Sequence, residues 1–154
     1  DANLYLVNPS GVLFGSNAQL SLQGSFTATT AEQIEFDGAV LNVLDQGADY
    51  SAFLGDPSAL HFTETSASAV VNQGDLAVAP GESISLTGGN VVNTGTLSAH
   101  GGEIGLVAVG GESTVRYGIS GSLLSLELTE DSVPNGTGFA VTDLPALLTG
   151  SSTP

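Results

Sequence analysis

The sequence predicts an all-β solenoid, a parallel β-helix with about 20 residues per coil. The first observation behind this prediction is an internal repeat. Val70–Leu76 recurs as Val91–Leu97 at an offset of 21 residues, and Ile84–Leu86 recurs as Ile104–Leu106 at an offset of 20. The second observation is a series of short runs of alternating apolar residues, bounded by Gly, Asn, Asp or Pro, with almost no helical periodicity.

Alternating apolar residues mark the predicted strands in chain order, at Leu4 and Leu6, Leu20 and Leu22, Ile34 and Phe36, Leu76 and Val78, Ile84 and Leu86, Leu97 and Ala99, and Leu124, Leu126 and Leu128. Short half-buried strands without helices between them fit either an antiparallel sandwich or a parallel β-helix. The repeat favours the β-helix, because residues one coil apart then stack directly, whereas successive strands of an antiparallel meander reverse direction.

Stacking predicts ladders of like residues between neighbouring coils. Asn72 is expected over Asn93, and Val71 over Val92. An inward asparagine can pair its amide with the amide of the next coil and with the backbone of the turn. The alternative is that Asn72 and Asn93 form two ordinary Asx-turns. Both interpretations give these asparagines an architectural role.

The chain divides into regions that differ in repeat pattern and in composition. We expect a β-helical domain over residues 1–128, interrupted by an irregular excursion at 37–68, with the repeat resuming over 69–128. Residues 129–154 are rich in Gly, Pro, Ser and Thr, and they are expected to form a terminal strand or linker that leads onward in a longer protein. Since the chain opens at Asp1 next to a strand-like run, we also expect that the domain lacks its N-terminal part.

The charge balance and the composition exclude several partners and chemistries. Sixteen Asp and Glu residues face a single cation, Arg116, and the formal net charge is −15. Neutralising phosphates requires Lys and Arg, so binding of nucleic acid or of an anionic lipid surface is excluded. The longest apolar run, Ile104–Val109, is far too short to span a bilayer, and no membrane insertion is expected. The chain has no cysteine and therefore no disulfide or thiol chemistry.

The most specific string of the sequence lies near its start and contains Asn8-Pro9-Ser10-Gly11. These four residues predict a β-turn. Pro9 presets φ at the second position, Asn8 can accept a hydrogen bond from the backbone two residues on, and Gly11 permits the exit. The turn is framed by apolar strands and is followed by a run of small residues that ends at Thr30.

Residues 3–30 closely resemble the two-partner secretion domain, the filamentous haemagglutinin-like N-terminal module of exported bacterial adhesins. Asn8–Gly11 matches the Asn-Pro-Asn-Gly turn of this family, with Ser in the third place, and residues 81–105 resemble the family's closing coils. The resemblance extends over residues 3–118. It implies a right-handed parallel β-helix with extra strands or hairpins that cap or flank it.

The resemblance also implies a function. Such domains are secreted unfolded through an outer-membrane β-barrel transporter whose periplasmic domains recognise them, and folding outside the cell helps to drive export. The chain is then expected to be non-enzymatic and without a cofactor. It would pass the periplasm of a Gram-negative-type bacterium and be secreted or held at the cell surface. Its full passenger would contact glycans or proteins of host or neighbouring cells. Asn8, Pro9, Ser10 and Gly11 form the candidate secretion motif, as a turn that must form.

Two alternatives from other classes are a carbohydrate-active parallel β-helix enzyme and an adhesive repeat that binds a glycan or a protein. Glycoside hydrolysis requires two carboxyl groups at a defined separation. The tightest carboxylate cluster is Glu127, Glu130 and Asp131, at a predicted strand end. His61 and His100 have no neighbouring nucleophile motif and are interpreted as surface or packing residues.

Calcium binding is the one cofactor alternative that the composition offers. Asp37, Asp45, Asp49 and Asp56 share the excursion and could meet in space. The sequence contains neither an EF-hand loop nor a glycine-rich calcium-binding nonapeptide repeat. A solvated acidic loop is therefore the favoured interpretation of these residues.

Overall fold

The computed structural model describes residues 2–53, 55–63 and 68–117 and the strand Leu124–Leu128. These residues form short β-strands and a 3₁₀ turn at Tyr50–Ala52. In chain order the strands are β1 Leu4–Val7, β2 Val12–Phe14, β3 Gln19–Leu22, β4 Phe26–Thr29, β5 Gln33–Phe36, β6 Ala39–Asn42, β7 Ala59–Phe62, β8 Ala69–Asn72, β9 Asp75–Val78, β10 Ile84–Gly88, β11 Asn90–Asn93, β12 Thr96–Ala99, β13 Ile104–Ala108, β14 Ser113–Tyr117 and β15 Leu124–Leu128.

Ten of the described strands form three parallel sheets. Sheet A has the order β1-β4-β10-β13, sheet B the order β2-β8-β11, and sheet C the order β3-β9-β12. The chain enters the sheets in the order A, B, C three times and then returns to sheet A. Each such passage is called a coil below. All strand pairs within the three sheets are parallel. This all-β arrangement is compatible with the predicted β-helix, whose handedness stays a prediction.

An excursion leaves the stack within the second coil, between β4 and β8. Its first hairpin, β5–β6, pairs Phe36 with Ala39 across Asp37 and Gly38. Gly38 has a φ of 78°, the left-handed conformation that tight hairpin turns require. The excursion predicted at 37–68 thus contains two regular strands, β6 and β7. It also begins earlier in the chain, since β5 already lies outside the stack.

The strands of the excursion pair with the two strands that follow β13, β14 and β15, in a fourth sheet. Sheet D is antiparallel and has the order β15-β14-β7-β5-β6. The sequence predicts that the repeat continues to residue 128, but the described stack ends at β13, and β14 and β15 belong to sheet D. Alternation of apolar residues has the same period in parallel and antiparallel strands, so it could not distinguish the two cases. The predicted linker at 129–154 lies outside the described residues.

The interior of the stack is filled by one side of each parallel sheet. Residues in register form rows, such as Leu20, Leu76 and Leu97 in sheet C. Three apolar sides therefore face one another around a single core, whose buried members are Val12, Phe26, Ala28, Val70, Leu76, Val78, Ile84 and Leu86.

Sheet D packs against the outer side of sheet A and creates a second core. Val7, Thr29, Thr87 and Val107 form one row on this outer side, and the two threonines are fully buried. The buried apolar residues of the second core are Ala31, Ile34, Leu60, Phe62, Val109 and Val115. The central strands of sheet A, β4 and β10, are consequently covered on both sides.

We expect Leu86→Ala to lower the free energy of unfolding by about 2–5 kcal/mol, because Leu86 is 0% exposed and its truncation leaves a cavity in the stack interior. Leu13→Ala is the matched control: Leu13 is 67% exposed, and we expect a loss below about 0.5 kcal/mol. Urea unfolding of the purified variants measures both values. Equal losses for the two variants would contradict the assignment of the core.

Candidate functional site at the coil corners

Each coil turns three corners, and the residues singled out from the sequence lie at two kinds of corner. The corners are named here by the sheets that they join. The A–B corner of the first coil is the turn Asn8–Gly11, between β1 and β2. The B–C corners of the second and third coils begin at Asn72 and Asn93, the last residues of β8 and β11.

The turn Asn8–Gly11 is closed by two hydrogen bonds to Asn8. The Gly11 amide donates to the Asn8 carbonyl oxygen at 3.0 Å, and the Ser10 amide donates to Asn8 Oδ1, also at 3.0 Å. Pro9 occupies the second position, where its ring fixes φ. Gly11 has a φ of 119°, a conformation that is open to glycine but strained for other residues. The side chains of Asn8 and Ser10 are exposed, so the turn faces solvent.

This turn lies against the two points where the excursion leaves and rejoins the stack. The Asn8 amide donates to the carbonyl oxygen of Thr29, the last residue of β4, at 3.0 Å. A Cβ at Gly11 would lie 3.3 Å from the carbonyl oxygen of Ala69, the first residue of β8. The turn of the first coil therefore lies beside both ends of the excursion in the second coil. We call Asn8–Gly11, Thr29 and Ala69 the excursion neck.

Asn72 is the central residue of the B–C corner. It is a register partner of Asn93, and its side chain is fully buried. Its Nδ2 donates to Asn93 Oδ1 at 2.8 Å and to the Gly74 carbonyl oxygen at 3.2 Å. Its Oδ1 accepts from the Gly74 amide at 3.1 Å. The structure therefore contains both the amide pair and the Asx-turn that the sequence left as alternatives.

Close stacking explains the glycines that follow each of these asparagines. The Asn72 carbonyl oxygen accepts from the Thr94 amide at 2.8 Å and from the Gly95 amide at 3.2 Å. A Cβ on Gly95 would collide with the Gly74 carbonyl oxygen. The repeated Asn-x-Gly string is thus the sequence counterpart of two corners in direct contact.

A second ladder occupies the C–A corner, and the sequence did not reveal it. Asn3 Oδ1 accepts from the Ser25 amide at 3.0 Å, Ser25 Oγ accepts from the Ser83 amide at 3.0 Å, and Ser83 Oγ accepts from the Glu103 amide at 3.2 Å. At every step the side chain of the earlier coil accepts from the backbone of the later coil. The ladder therefore has a direction, from the first coil to the last.

The sequence signal for this ladder is weak but present. Each member stands directly before the first residue of a sheet A strand, namely β1, β4, β10 and β13. The separations between successive members are 22, 58 and 20 residues. The excursion inserted between β4 and β8 stretches the middle separation, and the residue types change from Asn to Ser to Glu. Because neither the spacing nor the residue type is constant, a repeat of like residues at a fixed period does not reveal the C–A ladder.

A polar cluster in sheet D joins three strands. Nδ1 of His61 on β7 lies 3.0 Å from Thr114 Oγ1 on β14, and its Nε2 lies 2.9 Å from Glu35 Oε2 on β5. Nη1 of Arg116 is 3.8 Å from Glu35 Oε1. His61 is thus a packing residue within a hydrogen-bonded cluster, which the sequence alone did not assemble.

Tyr117, at the end of β14, reaches back to the first coil. Burial raises the pKa of its hydroxyl far above the ordinary value, and the nearby Tyr5 acts in the same direction. Thr27 lies beside the hydroxyl, but no hydrogen bond of good geometry reaches the Tyr117 oxygen from the described residues. A buried hydroxyl without a partner costs stability.

Among the residues that the structure describes, no group of three or more His, Asp and Glu side chains is arranged to hold a metal ion. Within the same ranges, no helix has the length and apolar character needed to cross a membrane.

The model of the TPS secretion domain family matches residues 1–147 of the chain. The chain belongs to the TPS secretion domain family. No curated protein and no solved structure gives a significant match. The TPS match extends past β15 and includes both ladders, the excursion neck and sheet D.

Membership of the TPS family places the chain in two-partner secretion. Proteins with this domain pass through the periplasm to the cell surface or the extracellular space, and the domain is a secretion module of such exported proteins. Membership also implies an outer-membrane transporter of the two-partner type as a partner. The corners described above are accordingly features of a secretion module.

We expect Asn72→Ala to lower the free energy of unfolding by about 1–3 kcal/mol, because it leaves the buried Gly74 amide and Asn93 Oδ1 without their hydrogen-bond partner. Asn17→Ala, at an exposed turn position, is the control, with an expected change within about 0.5 kcal/mol. Urea unfolding monitored by circular dichroism provides both numbers. If Asn72→Ala proved as mild as Asn17→Ala, the central role of the amide would be refuted.

We expect Tyr117→Phe to raise the free energy of unfolding at pH 8 by up to about 1 kcal/mol, because the variant no longer buries an unpaired hydroxyl. In the wild type the raised pKa of Tyr117 adds no pH dependence to the stability below the ordinary tyrosine pKa of 10.0. Above that pH the unfolded state loses the hydroxyl proton more readily than the folded state, so stability falls. The variant should therefore lose less stability between pH 8 and pH 11.

Urea unfolding at the two pH values provides the measurement for Tyr117. Tyr50→Phe is the control for the substitution itself, because Tyr50 is exposed and the variant changes no buried hydroxyl. An unchanged alkaline loss in Tyr117→Phe would contradict the burial of this hydroxyl.

Proposed function

We propose that this domain starts both the export and the folding of a large exported surface protein of the adhesin or haemagglutinin type. In this proposal the periplasmic domains of the outer-membrane transporter recognise the domain, and the domain then folds outside the cell as a right-handed parallel β-helix. It works without catalysis and without a cofactor. Contacts with glycans or proteins of other cells are left to the full passenger.

The observation that carries the proposal is the direction of the C–A ladder. Asn3, Ser25 and Ser83 each present a side-chain acceptor to the backbone of the next coil. An earlier coil can therefore stand ready as a template when the next part of the chain arrives. Stacked units of this kind fold by adding one neighbour at a time. This property suits a chain that emerges from a transporter with its amino end first.

The distribution of charge supports the same proposal. Carboxylates outnumber cations sixteen to one, and they are spread along the chain. Self-repulsion of this kind opposes premature collapse and association of an unfolded chain. The two ladders use neutral asparagine and serine acceptors, so the contacts between coils form without ion pairs along most of their length.

The enzyme alternative finds little support at the described groove beside His61. This groove has a volume of about 240 Å³ and is lined by Gln33, His61, Phe62, Thr63, Glu112, Ser113 and Thr114. Glu112 is the single carboxylate in this lining, whereas glycoside hydrolysis uses a pair. The proposal keeps the domain non-enzymatic because the matched family is a secretion module.

A secretion assay tests the proposed function. The natural full-length protein is expressed with and without its outer-membrane transporter, and the exported fraction is measured for the wild type and for Asn8→Ala combined with Pro9→Ala. We expect export to require the transporter and to fall severalfold in the double variant, because the turn at the excursion neck loses both its capping side chain and its fixed φ. Export at normal levels without the transporter would overturn the proposal.

A matched pair of glycine variants separates the turn from general effects of substitution. Gly11→Ala places a Cβ at a φ of 119° and 3.3 Å from the Ala69 oxygen, and it should reduce export. Gly15→Ala places a Cβ where no atom lies within 4 Å, and it should be exported like the wild type. Circular dichroism of the purified domains shows whether a variant that fails in export still folds.

A further inference from the structure

Sheet D is assembled from two parts of the chain that are far apart in sequence. β5, β6 and β7 belong to the excursion, whereas β14 and β15 follow the last described coil. β7 lies between β5 and β14, so one of its edges is paired within the excursion and the other is paired only by β14. Without β14, the excursion would be a three-stranded sheet with an open edge.

The second core has the same division. The excursion supplies Ile34, Leu60 and Phe62, and the late part of the chain supplies the fully buried Val115 and the nearly buried Val109. Val107 and Tyr117 pack against the same cluster. An excursion without these late residues would leave a large part of its apolar side exposed to water. Small sheets of this kind are marginally stable unless an apolar side is packed.

The polar cluster fixes how the two parts meet. His61 is bonded to Glu35 across 26 residues of chain and to Thr114 across 53 residues. Ala59 of β7 is the register partner of Arg116 on β14 and of Glu35 on β5. Arg116 and Glu35 therefore lie on either side of Ala59, level with each other in the sheet. The side chains of this cluster are partly exposed, so each hydrogen bond stabilises the pairing of β14 with β7 modestly, and together they fix the register of the two strands.

We propose that β14 (Ser113–Tyr117) is a latch that seals the excursion. Until β14 pairs with β7, the excursion strands β5, β6 and β7 unfold and refold together as one local unit. The strands of sheets A, B and C stay paired during this local unfolding. Pairing of β14 completes the second core and joins excursion and coils into one cooperative structure. If the chain emerges with its amino end first, as in the proposed function, the latch makes sealing of sheet D the last step in folding of the described domain.

Hydrogen exchange of the purified full chain tests the latch. Val115→Ala weakens the contact of β14 with the second core. We expect it to accelerate exchange of the amides in β5 and β7 about tenfold or more, with less than about a twofold change in β9 and β12. Acceleration of β9 and β12 to the same degree as β5 and β7 would overturn the proposal, because the excursion and the coils would then open together.

Two further variants complete the test. Val70→Ala is the matched control, since Val70 and Val115 are both fully buried valines and Val70 lies in the stack interior. It should accelerate exchange in β9 and β12, which Val115→Ala leaves protected. Thr114→Val removes one hydroxyl from the polar cluster with little change of shape, and it should accelerate exchange in β5 and β7 alone.

If Val115→Ala fails to fold, hydrogen exchange of Thr114→Val provides the test instead. No acceleration in β5 and β7 for this variant would overturn the proposal, because the pairing of β14 would then not control the opening of the excursion. All of these measurements use purified protein, so their outcome is independent of the secretion assay. A chain that needs no transporter for export could still have the latch, and an exported chain could lack it.

Discussion

Strict register between neighbouring coils is the constraint on which the rest of this structure depends. Every strand of sheets A, B and C takes its hydrogen bonds from the coil before or after it. A shift of one residue would move each interior row to the outside. The corners prevent such a shift, because Asn72 bonds to Asn93 and Gly74, and Gly95 stacks so closely on Gly74 that no side chain fits.

The same register explains how the stack accommodates a long insertion. The excursion enters at an A–B corner, between the end of β4 and the start of β8, so it interrupts no strand of the stack. In the first coil the corresponding corner is the compact turn Asn8–Gly11, which bonds to Thr29 and lies beside Ala69. The turn that the sequence predicts to be the secretion motif therefore also lies at the base of the excursion. Its hydrogen bond to Thr29 and its close approach to Ala69 tie it to both ends of that segment.

The two central strands of sheet A, β4 and β10, are covered on both sides. Phe26, Ile84 and Leu86 point into the stack, whereas Thr29 and Thr87 lie under sheet D. Threonine suits the outer side of sheet A, under sheet D, because its branched side chain favours strands. Its hydroxyl can also form a local hydrogen bond: Thr29 Oγ1 accepts from the Ala31 amide at 3.1 Å. Two cores thus share one sheet, and the outer one contains residues as far apart in the sequence as Val7 and Val115.

The sequence by itself determined the all-β class, the register of the second and third coils and the turn at Asn8–Gly11, because each rests on local chemistry or on an unbroken repeat. The pairing of Val70–Asn72 with Val91–Asn93 is visible as a direct echo. The tertiary structure alone decided the C–A ladder, the antiparallel placement of β14 and β15, and the cluster of Glu35, His61 and Thr114. These features join residues up to 58 positions apart. Alternation with a period of two is the same in every sheet, so only packing in space selects the partner strand.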